Sequence, residues 1–161
     1  MNIQSPRIAL LSNGEEQTKG NTLIKETAAL LTNEKQLNFI GNTEPKEILQ
    51  GHTDIVIHDG FTGNIFIKSI EATADMLLKL IQTRIKANPL TSFGGLLAKP
   101  AFRQVIKQID PFEIGGAPLL GINGIVIIGH GRSNATAIKN AIFLAHRAAK
   151  ANIITALTNS I

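Results

Sequence analysis

Three short stretches of the 161-residue chain carry residue types that bind and polarise anions. In "SNGEEQTKGN" these are Asn13, Lys19, Gly20 and Asn21; in "DGFTGN" they are Asp59, Gly60, Thr62, Gly63 and Asn64. In "GHGRSN" they are Gly129, His130, Gly131, Arg132, Ser133 and Asn134. Each stretch follows a short apolar run and precedes a segment with helical spacing. A helix start exposes unpaired N–H groups and the positive end of the helix dipole. Glycine lets the backbone approach a phosphate closely. The chemistry expected is therefore anion binding at helix N-termini, in a crevice beyond the carboxyl edge of a sheet. Plainer roles stand beside that one. Asn21, Asn64 and Asn134 also suit N-caps, Asp59 a turn cap, His130 a hydrogen-bonded turn, and Lys19 an exposed lysine.

Composition removes several other chemistries. Cysteine is absent, which excludes disulfides, a thiol nucleophile and Cys-ligated metal. No Ser-His-Asp arrangement is evident, so a covalent acyl-enzyme is not supported. None of the three corners reads G-x-G-x-x-G, and no ribose-binding acid follows the first strand, which argues against a dinucleotide site. A net charge of +4, from 16 basic and 12 acidic residues, suits an anionic ligand, an acidic partner or a membrane surface. With Trp and Tyr absent and the basic residues dispersed, it does not suit nucleic acid. The opening "MNIQSPRIALL" is a poor signal peptide, and no apolar run approaches the ~18 residues of a membrane span.

The elements that must position these corners follow from periodicity. Apolar runs at 7–12, 37–42, 54–60 and 124–129 read as strands bounded by glycines. Helical spacing follows at 22–31, 45–50, 65–87 and 135–156. Alternation of this kind predicts one α/β domain over residues 1–161, a Rossmann-like three-layer αβα sandwich around a mostly parallel sheet. Residues 88–109 break the rhythm with Pro89, Gly94, Gly95 and Pro100. They predict a helical excursion whose second helix covers 100–108. Lys99, Arg103 and Lys107, four apart, would line one face of it as a basic edge for an acidic partner or anionic lipid, or as a solvated surface. The long helix is apolar over a wide arc that includes Ile70, Leu77 and Ile81, which calls for a partner subunit.

"RIALLSNGEEQTKGN", "NFIGN", "DGFTGN", "GGAPLLGINGIVIIGHG" and "SNATAIKNAI", in this order, resemble the phosphate acyltransferase family of bacterial phospholipid synthesis (PlsX). The resemblance implies transfer of a fatty acyl group from acyl carrier protein to inorganic phosphate, giving an acyl phosphate. It further implies a homodimer, a fold akin to isocitrate and isopropylmalate dehydrogenases, and no metal or nucleotide cofactor. A cytoplasmic location with peripheral contact to the inner face of the membrane is implied as well. By motif, Lys19 and Asn64 match the critical active-site pair, and His130 lies in the matching substrate crevice. Leu90, Phe93, Leu96 and Leu97 match the membrane-contacting tip. Members of the family are longer, and the chain matches only their second half. An alternative is a non-catalytic dimerising half-domain that binds membrane or carrier protein.

Overall fold

A computed structural model describes residues 3–109 and 111–159 of the chain. It is mixed α/β and divides into two compact units, Met1–Thr83 and Arg84–Ile161.

In the first unit, β1 (Ile8–Leu11) is the middle strand of a parallel three-stranded sheet, flanked by β2 (Phe39–Thr43) and β3 (Ile55–Ile57). All four residues of β1 are buried. This explains its unbroken apolar sequence, since a strand covered on both faces has no polar side to alternate with. Helix α1 (Thr22–Asn33) links β1 to β2, and α2 (Pro45–Leu49) links β2 to β3. Register between β1 and β2 slips by one residue at Ile8/Ala9, where Ile40 is the extra residue and Gly41 has φ +100°. Arg7 fastens the entry of β1 to that of β3. Its Nε donates to Asp54 Oδ2 at 2.9 Å, and its backbone N–H donates to the same oxygen at 2.8 Å. These bonds hold the Asp54 carboxyl down at about 2, well below the usual carboxylate range.

Helix α3 (Gly60–Ile85) starts five residues before the position expected for it. The cap is Asp59, whose Oδ1 accepts from the N–H groups of Phe61 at 2.9 Å and Thr62 at 2.8 Å. Asn64 therefore stands inside the helix and does not cap it.

The second unit corrects three expectations. The run "GIVIIG" does not extend the parallel sheet. Its β5 (Ile127–Ile128) pairs antiparallel with β4 (Ala117–Pro118) in a separate two-stranded sheet. Ala117 is held extended by the proline after it, and so offers a partner close in sequence. Helix α4 (Pro89–Ile109) is continuous from Pro89, where a second helix was expected only from about Pro100. Proline is preorganised at a first helical position, and Asn88 Oδ1 accepts from Thr91 N–H at 2.9 Å to cap the turn. Ile85 lies against Gly95, where a β-carbon would collide with it, so this glycine makes room for the α3 end. The final helix is two: α5 (Ala135–Lys150) and α6 (Ile153–Thr158), separated at Asn152, whose φ of 48° is left-handed. Asparagine is among the few residues that adopt this conformation readily.

Candidate active site

The first corner leaves the buried end of β1. Asn13 Oδ1 accepts from Gly20 N–H at 3.0 Å, closing the loop on itself. Within it, Lys19 N–H donates to the Glu16 carbonyl at 2.9 Å. The aliphatic stem of Lys19 crosses Gly14, its Cγ 2.6 Å from where a β-carbon on that residue would stand. Lys19 itself is exposed, so the stem is guided while the ammonium faces solvent. Gly20 has φ +88°, and a β-carbon there would lie 2.6 Å from Ile24 Cγ2. Asn21 then caps α1, its Oδ1 accepting from Ile24 N–H at 2.9 Å.

The second corner leaves β3, the parallel neighbour of β1, so both corners lie at the carboxyl edge of one sheet. Asp59 occupies the start of α3, and hydrogen bonds from Thr62 lower its pKa below the usual carboxylate value. The positive end of this helix thus already holds an anion of the protein's own. At α1 the cap is a neutral asparagine, which leaves the dipole end without a counter-charge. Of the two corners, the Lys19 turn is the better seat for an external anion. Gly60 and Thr62 are exposed in the first turn, as is Asn64 in the second. Gly63 is buried because the His58 ring occupies the place of its missing side chain. His58 Nδ1 also lies 2.9 Å from the Asp59 carbonyl. Sequence reasoning passed over His58. The sequence shows a glycine at 63, but its burial against His58 appears only in the structure.

The third corner lies in the second unit, after β5. It is tied by its own bonds. Ser133 Oγ donates to the His130 carbonyl at 2.6 Å, and Arg132 N–H donates to His130 Nδ1 at 3.2 Å. Arg132 sits 5.8 Å from the centre of the Phe112 ring. Gly129 and Gly131 are exposed. Asn134 caps α5 through Ala137 N–H at 2.9 Å, again a neutral cap. Sequence reasoning also missed Gly115, which packs directly on the α5 backbone beside Ala137 and Ala141. Asn140 donates from α5 to the carbonyls of Phe112 at 3.1 Å and Glu113 at 3.0 Å.

On α4, Leu90, Phe93, Leu96 and Leu97 are all exposed, as are Lys99, Arg103 and Lys107. Among the described residues no helix is long and apolar enough to cross a membrane, and no group of His, Cys, Asp and Glu could hold a metal ion.

The family model described as "Fatty acid synthesis protein" matches residues 1–156. The chain belongs to that family. A protein of Dictyoglomus thermophilum named phosphate acyltransferase is 49% identical over 152 residues, covering 94% of this chain and 45% of its own. One of Campylobacter jejuni with the same name is 46% identical over 161 residues, covering 100% of this chain and 48% of its own. A third, from Halothermothrix orenii, is 44% identical over 155 residues, covering 96% and 46%. The chain thus spans about half the length of the curated relatives it matches. These matches agree with the resemblance drawn from the motifs.

Proposed function

We propose that the chain is part of a phosphate acyltransferase that moves a fatty acyl group from acyl carrier protein to inorganic phosphate. The observation that carries this is the Lys19 turn: an exposed ammonium on a guided stem, beside a neutral-capped helix start, at the end of the buried strand. A phosphate oxygen attacks the thioester carbonyl carbon. The tetrahedral intermediate collapses, the carbon–sulfur bond breaks, and the carrier leaves as a thiolate that takes up a proton. Lys19 holds the phosphate and offsets its charge. Asn64 donates to the developing oxyanion, and the Asp59 cap fixes the turn that precedes it. Holding both substrates together supplies a further part of the rate by proximity.

In the same reading Asn13, Gly20, Asn21, Gly60 and Gly63 contribute polar backbone and side-chain groups in the first unit, and Gly129, His130, Gly131 and Ser133 form the substrate-binding corner of the second. The fold of the complete protein is the Rossmann-like, dehydrogenase-related sandwich, with residues 1–161 as one domain and 88–109 as its excursion. Exposed Leu90, Phe93, Leu96 and Leu97 suit peripheral contact with the cytoplasmic membrane face. The exposed Lys99, Arg103 and Lys107 suit acidic carrier protein or lipid headgroups. Met76, Leu77 and Leu80, exposed on α3, suit a second copy of the protein.

The test is acyl phosphate formation from acyl carrier protein thioester and inorganic phosphate. It is run with the chain alone and with the first half of the D. thermophilum relative supplied. Lys19→Ala should lower turnover about 100-fold or more while the fold persists. Undiminished turnover would remove Lys19 from the mechanism. An absence of turnover in every combination, with the fold intact, would favour a non-catalytic binding half-domain.

A further inference from the structure

The Lys19 turn is supported from β2 by a residue that the reaction does not itself require. Asn42 Nδ2 donates to the Glu16 carbonyl at 3.0 Å, the same oxygen that accepts the Lys19 N–H at 2.9 Å. One carbonyl therefore gathers the lysine's own backbone and the side chain of a neighbouring strand. Asn42 is paired with Leu10 in the β1–β2 register, so its main chain is anchored by the buried strand. Its side chain is aimed by the irregularity just before it. An extra residue in a strand reverses which face the following side chains occupy. Gly41 permits the reversal through its φ of +100°, and a β-carbon there would meet nothing within 4 Å. The glycine is thus needed for conformation and not for space. Asn42 Oδ1 is buried and has no hydrogen-bond partner. A buried amide oxygen left unpaired is unfavourable, so the placement of Asn42 is not explained by the stability of the sheet.

We infer that Asn42 is a positioning residue for Lys19, fixing the 16–19 turn from β2 so that the ammonium is presented to the anion. This rests on the proposed role of Lys19, and the experiment separates the two. Asn42→Asp keeps the shape and removes the donor; Asn42→Ala removes the side chain. Amide hydrogen exchange is measured in the full chain at Lys19 and at Ala9 and Leu10 of β1. Inorganic phosphate is titrated in parallel and followed at the Lys19 signals.

Both variants should speed exchange at Lys19 about tenfold, the factor set by one lost hydrogen bond, and leave β1 unchanged. Phosphate affinity at Lys19 should weaken by a similar factor. Unchanged exchange at Lys19 in both variants would overturn the inference. Equal acceleration at Lys19 and across β1 would overturn it too, since Asn42 would then hold the sheet and not the turn. A native chain whose Lys19 signals ignore phosphate would sink the proposed function, while the exchange data still decide the role of Asn42.

Discussion

Gly20→Ala tests the geometry of the Lys19 corner with a magnitude worked from two separate costs. The first is conformational. At φ +88° an L-residue sits in the left-handed region, which costs about 1–2 kcal/mol. The second is steric. The added methyl would lie 2.6 Å from Ile24 Cγ2 and 3.2 Å from Ser12 Oγ. Ser12 is buried, and Ile24 belongs to the first turn of α1, so relief requires moving the helix start or the strand end. Overpacking of this kind costs about 1–3 kcal/mol. Together the loss is about 2–5 kcal/mol.

Gly41→Ala is the matched control. It has a similar φ of +100° but open space around the new methyl, so only the conformational cost of about 1–2 kcal/mol applies. The chain has no Trp or Tyr, so urea unfolding is best followed through the amide signals of β1. At a slope of about 2 kcal/mol per molar urea, Gly20→Ala should lower the midpoint by about 1–2.5 M. Gly41→Ala should lower it by about 0.5–1 M. Equal shifts in the two variants would refute the reasoning, because the contact with Ile24 would then contribute nothing.

The remaining predictions concern the clamp at the sheet entry and a helix cap. Asp54 is held at about 2 in the folded chain by Arg7, below its unfolded value of about 4. A lowered carboxylate pKa contributes stability that is present above about pH 4 and is lost as the pH falls toward 2. The stability gap between the native chain and Asp54→Asn should therefore narrow over that interval in urea titrations, and a gap independent of pH would be contrary to the clamp. Asn134→Ala should cost the second unit about 1 kcal/mol by releasing the Ala137 N–H, seen as faster amide exchange in the first turn of α5. Unaltered exchange there would mean that the cap bond contributes nothing.

Local features of this protein were legible in its residues. The buried central strand is written as an uninterrupted apolar run, and Asn21 and Asn134 cap the helices they precede. The three polar corners and their glycines were also visible, because turn chemistry depends on a few adjacent residues. So was the family. The sequence-based expectation failed where a local signal competes with a distant partner. Gly94, Gly95 and Pro100 each weaken a helix taken singly, yet α4 runs through all three. A cap at Asn88 starts it, and Gly95 is occupied by contact with Ile85.

What the sequence determined by itself is thus the alternation of strands and helices and the chemistry offered at each junction. Tertiary structure decided which strands pair, and so which residues support the site. "GIVIIG" has the composition of a central parallel strand, but pairing is a choice among partners, and β4 is the one it meets. The asparagine of "NFIGN" looks like any strand end in the sequence. Only the one-residue slip at Gly41, a matter of register between two chain segments, turns it toward the Glu16 carbonyl. Backbone hydrogen bonds between strands are indifferent to side-chain identity, so register is set by what the side chains bury and touch. That information is not contained in either segment alone.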